Sequence, residues 1–207
     1  SKEKFNGNFI SQQISGKTGI EILKQKLQKT EIFSFDLKYY ENDVYLSFCW
    51  SKASIYYVKA KEKKTKEILN SFKHLIEGNA KKIVFNHKSL SKTLHVFGIK
   101  INNFFDIKIG SYLMSPGSRN NFKTILKLNL DIDSNDDDFD LDGIYHYNKL
   151  FLKIYDDLKE KNLLDLLEKI ENPLSYVLMK MEFEGIRLDS DLLNEIKKIF
   201  ETESNTL

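Results

Sequence analysis

Hydrophobic and polar positions change their spacing along the chain, and each change marks a predicted element. Short apolar runs, alternating or continuous and rich in β-branched and aromatic residues, predict five strands at 32–37, 44–50, 54–58, 82–86 and 103–106. Apolar residues three and four apart predict helices at 18–29, 62–76, 89–97, 107–114, 143–160 and 163–182, with a last one starting near 189–191. Strands and helices therefore mix along the chain, which is typical of an α/β protein.

The order of these elements limits the possible folds. Three strands joined by short polar turns come first, and each later strand follows a helix, which gives the order β-β-β-α-β-α-β-α. This order predicts a mixed five-stranded sheet flanked by helices, because hairpins give antiparallel pairs and helical crossovers give parallel pairs. It resembles the order of the ribonuclease H-like fold, followed here by C-terminal helices.

Composition predicts three segments. Residues 1–17 are polar and rich in Gly, Asn and Ser, so we expect a linker or arm. Residues 18–160 carry the strands with their helices and predict one α/β domain, which an acidic tract at 131–142 interrupts. Residues 161–207 hold the C-terminal helices and are expected to begin a second domain.

Charge and cysteine content exclude few functions or cellular locations. With 32 Lys and Arg against 30 Asp and Glu, the net charge is +2, so no global basic field indicates nucleic-acid binding. The single Cys49 cannot form an internal disulfide, and a buried thiol in a reducing, cytoplasmic compartment is expected. No run approaches the ~20 apolar residues that span a bilayer, so no membrane partner is expected. We also expect a monomer.

The segment 171–189 is the most specific part of the sequence. It reads ENPLSYVLMKMEFEGIRLD, a helical pattern that stops at Gly185 and continues into an extended stretch ending at Asp189. This closely resembles the segment that joins the 3′–5′ exonuclease domain to the polymerase domain in the bacterial DNA polymerase I family. The resemblance implies that 161–207 begins a polymerase domain and that the parent protein copies DNA in replication and repair with Mg²⁺. DNA and that polymerase domain would be the partners of this segment, which would itself hold no cofactor.

The resemblance also identifies the positions where the family's exonucleases carry metal-binding carboxylates. Two divalent ions are held there by an Asp-x-Glu pair on the first strand and by two later aspartates. Asp36 matches the first aspartate, but Lys38 replaces the glutamate, and Leu90, followed by Ser91, replaces the second aspartate. Gly143 falls on the last aspartate. An ammonium repels a divalent cation and one carboxylate cannot hold two ions, so we expect a vestigial domain without metal site or proofreading activity.

Two other functions stay open at this point. An active exonuclease could combine Asp36 with Glu41, or with Asp140 and Asp142 of the acidic tract, in a rearranged metal site. The chain could also be a stand-alone interaction module. Without such partners, Asp36 is expected to cap a turn or a helix. The acidic tract is expected to be a solvated loop rather than a calcium site, because Asp136 stands where a calcium loop needs Gly.

Basic, aromatic and histidine residues offer less specific signals. Aromatic residues at strand spacing between 33 and 57 predict core packing rather than a base-stacking platform. His87 and His95 lack partners at zinc-ligand spacing, so we expect surface or capping residues. One basic run could contact phosphate, although most such runs are solvated faces; its candidate residues are Lys59, Lys61, Lys63 and Lys64.

Overall fold

The structure is a computed structural model that describes residues 10–50, 54–118, 120–133 and 143–204. Its strands are β1 (Ile10–Gln13), β2 (Ile32–Tyr40), β3 (Asp43–Cys49), β4 (Ser54–Lys61), β5 (Lys81–Val84) and β6 (Phe104–Asp106). Its helices are α1 (Gly16–Gln28), α2 (Thr65–Ile76), α3 (His87–His95), α4 (Ile107–Met114), α5 (Phe122–Leu130), α6 (Gly143–Glu160), α7 (Leu164–Leu166), α8 (Asn172–Glu184) and α9 (Ser190–Ser204). A 3₁₀ turn at Glu62–Lys64 precedes α2, and a π-helical turn at Leu167–Glu171 joins α7 to α8. Each predicted strand and helix is present near its expected bounds, and α5 was not predicted.

The described strands form one mixed sheet in the order β1-β4-β3-β2-β5-β6. Strands β2, β3 and β4 are antiparallel neighbours, and β5 and β6 extend the sheet from β2 in parallel. The sheet has one strand more than the five predicted, because β1 pairs in parallel with β4 at the edge. All four β1 side chains are exposed, so the apolar alternation that indicates a strand is absent there. The expectation of a polar arm is therefore wrong for residues 10–13.

Strand β2 separates two hydrophobic cores. Phe33 and Phe35 on one face pack in a cluster with residues of α1, α2 and α3. The intervening residues Ser34 and Asp36 point to the opposite face, where both contact α6. The second core joins the sheet to α4, α5 and α6 around residues such as Phe105. The mixed α/β fold is thereby confirmed, with the polar residues of β2 turned toward α6.

The C-terminal helices continue directly from the α/β domain. The segments α7, the π-helical turn and α8 form one helical stretch from Leu164 to Glu184, and α8 packs against α3. Gly185 ends α8 with a φ of +69°, a backbone conformation that glycine adopts without steric cost from a Cβ. Helix α9 follows and buries none of its residues. Across the described part of the chain, no helix is both long enough and apolar enough to cross a membrane.

Candidate functional site

Asp36 lies within β2, on the sheet face that α6 covers. The residue is only 9% exposed. The Tyr147 hydroxyl donates a hydrogen bond to Oδ2 over 3.0 Å, and the Leu37 backbone N–H donates to Oδ1 over 2.9 Å. The expectation that Asp36 caps a turn or a helix is therefore wrong, because its carboxylate is held inside the sheet by a helix side chain.

The electrostatic environment of Asp36 combines burial with one nearby cation. Burial raises the pKa of Asp36 above its ordinary value. The Lys38 ammonium, 3.9 Å from Oδ2, acts against this pKa increase, and so does the hydrogen bond from Tyr147. Lys38, the residue that the resemblance predicts at a glutamate position, therefore brings a positive charge to Asp36 and stabilises its carboxylate.

The groups around Asp36 that belong to the described residues do not fit the two divalent ions that the resemblance implies. Such ions require several carboxylate oxygens, whereas the side chains that bond to the Asp36 carboxylate are a phenol and an ammonium. Within the described ranges, no three His, Cys, Asp or Glu side chains form a group that could hold a metal ion. Asp140 and Asp142, the candidate ligands of the acidic tract, lie outside the described residues.

The other candidate ligand positions supply no carboxylate to Asp36. Leu90 is buried in the apolar core beside α3's other inward residues. Gly143 begins α6 and is buried, and the α6 residue that bonds to Asp36 is Tyr147, one turn later. Glu41 is exposed in the turn after β2, about 16 Å along the strand from Asp36 at the usual rise per residue. The structure therefore does not bring Glu41 and Asp36 together on one ion.

His87 is a buried polar centre rather than the surface or capping residue that we expected. It is 1% exposed, and its ring stacks on Phe104 with centroids 3.6 Å apart. Its ring nitrogens Nδ1 and Nε2 each lie 2.8 Å from a serine hydroxyl, that of Ser175 on α8 and that of Ser91 on α3. Burial lowers the pKa of His87 to about 4, and the charge of Lys100 adds to this decrease. A neutral imidazole has one donor and one acceptor nitrogen, which matches two hydroxyl partners.

A second buried carboxylate, Asp106, fixes the turn before α3 and the first turn of α4. The residue is 1% exposed. Its Oδ1 accepts from the backbone N–H of Asn86 over 3.0 Å and of Lys108 over 2.9 Å, and its Oδ2 accepts from the backbone N–H of His87 over 2.7 Å. Burial raises the pKa of Asp106, and these hydrogen bonds act in the opposite direction. Asp106 is therefore a helix cap that joins two parts of the fold.

The candidate phosphate-binding lysines divide into two pairs. Lys59 and Lys61 lie 3.2 and 2.9 Å from the carboxylate of Asp43. The hydrogen bond from Lys61 is the main cause that lowers the pKa of Asp43. Lys63 and Lys64 are exposed on the 3₁₀ turn that follows β4. Because Asp43 offsets part of the first pair's charge, the second pair is the more available to a phosphate.

Sequence reasoning missed Tyr147 and Ser175. Tyr147 lies on the apolar stripe of α6, so its helical spacing indicates an inward position. Its partner Asp36, however, is 111 residues away. Ser175 lies in a segment that the family resemblance singled out, but nothing in the sequence connects it with His87, which is 88 residues away.

Comparisons with known proteins agree on one family. A family model described as the ribonuclease H-like domain of DNA polymerase I matches residues 31–138, just over half of the chain. DNA polymerase I of Streptococcus pneumoniae (strain TIGR4) is 27% identical over 199 residues, which cover 86% of this chain and 22% of that protein. DNA polymerase I of Borreliella burgdorferi is 27% identical over 220 residues, which cover 90% of this chain and 24% of that protein. The chain therefore spans less than a quarter of the length of these curated relatives.

Solved structures share the fold at low sequence identity. The POL domain of Pol1 from M. smegmatis, solved in complex with a DNA primer-template and dNTP, matches 92% of this chain and 35% of that chain with a TM-score of 0.74 and 15% identity. Escherichia coli RNase D, an exoribonuclease, matches 93% of this chain and 56% of that chain with a TM-score of 0.64 and 11% identity. At such identities the likeness shows the fold alone, which is the ribonuclease H-like arrangement of sheet and helices.

Proposed function

The chain belongs to the family of DNA polymerase I ribonuclease H-like domains, and from this premise we propose that it is an exonuclease-like domain without nuclease chemistry. Its role in this proposal is architectural. It braces a polymerase module of the same protein and adds contacts to DNA, with Lys63 and Lys64 as phosphate contacts. The parent enzyme would copy DNA with Mg²⁺ in its polymerase module, and this segment would need no cofactor of its own.

One observation carries the proposal: protein neighbours already satisfy the carboxylate of Asp36. Hydrolysis of a phosphodiester with two metals needs a cluster of ionised carboxylates that holds both ions and orients a water molecule. Around Asp36, the ammonium of Lys38 and the phenol of Tyr147 take the places that such oxygen ligands would need. A metal ion would first have to separate a buried carboxylate from these partners, which is energetically unfavourable.

The C-terminal helices support the architectural role. The contact of His87 with Ser175 ties α8 to α3, so that the α/β domain and α8 form one packed unit. Helix α9 buries none of its residues, and its apolar side chains Leu192, Ile199 and Phe200 are each more than half exposed. An exposed apolar helix face of this kind is suited to burial against a further module. The relatives named DNA polymerase I, of which this chain covers less than a quarter, favour a polymerase module as that partner.

Degradation of a 3′-mismatched primer–template tests the loss of nuclease chemistry. We expect the 207-residue chain to release no more nucleotide with Mg²⁺ or Mn²⁺ than its Asp36→Ala variant releases. The Asp36→Asn variant retains the side-chain shape, and thermal unfolding shows whether either variant is misfolded. Metal-dependent release that both substitutions abolish would overturn the proposal in favour of an active exonuclease. The Asp140→Ala and Asp142→Ala variants would then show whether the acidic tract supplies the missing ligands.

The architectural role has a separate test in the full-length protein. We expect Phe200→Asp to lower its melting temperature, because a charge would enter the interface with the polymerase module. Asn194→Asp, which adds the same charge at another exposed position of α9, serves as the matched control. Equal melting temperatures for both variants would contradict this role and favour a stand-alone module.

A further inference from the structure

A cavity of about 820 Å³ lies between the amino ends of β5 and β6 and the start of α8. Its walls include Lys81 at the start of β5, Phe104 at the start of β6, and Pro173 in the first turn of α8. Neither Asp36 nor Tyr147 lines it, so it is separate from the candidate exonuclease site. Its volume falls in the range of about 300–1,000 Å³ that is usual for small-molecule sites.

The charge at this cavity favours an anion. Lys100 lines the cavity, and its ammonium lies 4.6 Å from the centroid of the Tyr176 ring; Lys180, which does not line the cavity, approaches the same ring at 5.5 Å. Within the described ranges, neither ammonium forms an ion pair with a carboxylate. Lys81 is different, because Glu168 lies 3.3 Å from its ammonium and offsets its charge. Two cations close to one ring repel each other, and a bound phosphate would relieve that repulsion.

The remaining walls suit a flat polar ring. Phe104, Pro173 and Val177 provide apolar surface. Asn102 and Asn103 lie at the rim with their amide nitrogens already engaged, since they donate to the carbonyl oxygens of Glu77 over 2.8 Å and of Asn79 over 2.5 Å respectively. Each amide keeps its oxygen as an acceptor and one further N–H as a donor, so both residues can pair with the polar edge of a ring.

We propose that this cavity binds a nucleoside monophosphate unit, with its phosphate at Lys100 and its base against the wall of Phe104. The polar edge of the base pairs with the amide of Asn102 or Asn103, through the amide oxygen or its remaining N–H. The unit can come from a free nucleotide or from the unpaired end of a DNA strand, which present the same chemistry. This inference goes beyond the architectural role and does not depend on whether the domain cleaves DNA.

Calorimetric titration of the 207-residue chain with dAMP tests the proposal. We expect saturable binding that Lys100→Met weakens by about tenfold, the usual loss for one hydrogen bond to a charged group. Lys66→Met removes an exposed charge elsewhere and should leave the affinity unchanged, as should Asp36→Asn, which alters the candidate exonuclease site. Absence of saturable binding, or binding that Lys100→Met leaves unchanged, would overturn the proposal.

Two further ligands examine the parts of the nucleotide. We expect 2-deoxyribose 5-phosphate, which lacks a base, to bind about threefold more weakly than dAMP, and Asn102→Leu and Asn103→Leu together to reduce this preference. Inorganic phosphate that binds as tightly as dAMP would show that the cavity holds an anion only, and would overturn the assignment to nucleotides.

A short single-stranded oligodeoxyadenylate separates the two sources of the unit. Tighter binding of the oligonucleotide than of dAMP, with the same sensitivity to Lys100→Met, supports a strand end as the ligand. Tighter binding of dAMP supports a free nucleotide. The mismatch-degradation assay does not depend on this cavity. The binding experiments therefore test this inference, and the degradation assay separately tests the proposed loss of nuclease activity.

Discussion

The structure contains two buried aspartates whose carboxylates are stabilised by different kinds of hydrogen-bond donor. Burial raises the pKa of both Asp36 and Asp106. Asp106 is held by backbone N–H groups from two separate turns, whose positions the fold determines. Asp36 is held mainly by the side chains of Tyr147 and Lys38, which can turn or be replaced. The comparison teaches that backbone donors tie a carboxylate to the fold, whereas side-chain donors can be changed by substitution without changing the backbone.

The same substitution at both positions gives the largest expected contrast. Asp106→Asn keeps one oxygen acceptor, but its amide N–H group replaces the other oxygen and would face a backbone N–H that now donates there and cannot reverse its direction. We expect the free energy of unfolding to fall by about 3 kcal/mol, since buried donors lose an acceptor. Urea denaturation at pH 7 measures this change. A loss below about 1 kcal/mol would show that the backbone contacts of Asp106 contribute little.

The lowered pKa of His87, which lies in the turn that Asp106 fixes, predicts a loss of stability in acid. The unfolded chain protonates His87 near pH 6.5, whereas the folded chain does so only near pH 4. The stability contributed by the neutral ring is thus complete above pH 6.5 and is lost as the pH falls toward 4. Between pH 7 and pH 4.5 we expect the wild type to lose about 2 kcal/mol more unfolding free energy than His87→Gln, which cannot titrate. Parallel losses in the two proteins would contradict the assigned shift in the pKa of His87.

Removal of one hydroxyl examines the side-chain support of Asp36. Tyr147→Phe deletes the hydrogen bond to Oδ2 and leaves the packing of the ring in place. We expect the free energy of unfolding to fall by about 1 kcal/mol and the pKa of Asp36 to rise further, because one of the causes that lower it is gone. NMR titration of the Asp36 carboxyl carbon gives the pKa, and urea denaturation gives the stability. An unchanged pKa would indicate that the hydroxyl does not act on the carboxylate.

The smallest effect is expected for Asp36→Asn. The Tyr147 hydroxyl can accept from the new amide as readily as it now donates, and Lys38 is exposed enough to turn away. Loss of the ion pair and relief from burying a charge have opposite signs, so the free energy of unfolding should change by about 0.5 kcal/mol or less. The same urea measurement applies. A cost equal to that of Asp106→Asn would break the comparison between the two carboxylates.

The sequence predicted most elements of the fold because buried apolar residues recur along it at the spacing of strands or helices. Strands β2 to β6 carry apolar runs because their side chains are largely buried or half-buried, and the long helices α2 and α6 bury one face each, which hydrophobic spacing reveals. Strand β1 was not predicted because all four of its side chains are exposed at a sheet edge. Helix α5 was not predicted because its short run of apolar residues follows Pro116 and Gly117, which indicate a loop.

The candidate site was less accessible to sequence reasoning because its contacts are distant along the chain. The resemblance predicted a lysine, Lys38, at a glutamate position, but nothing in the sequence indicated the bond between Asp36 and Tyr147. The assignment of His87 to the surface failed for the same reason. A histidine that follows a strand looks like the start of a helix, and its burial comes from α8, which packs on it from much later in the chain.

The contact between α3 and α8 also determines where the chain can be shortened. Although composition suggested a boundary at 160/161, Leu167 and Met179 are buried beyond it, and a fragment ending there would leave their places empty. Residues 185–189 are exposed and lie outside both α8 and α9, since Gly185 has ended α8. A protease added in small amounts should therefore trim the chain at this link, and the shortest fragment that keeps its native hydrogen-exchange protection should end near Gly185.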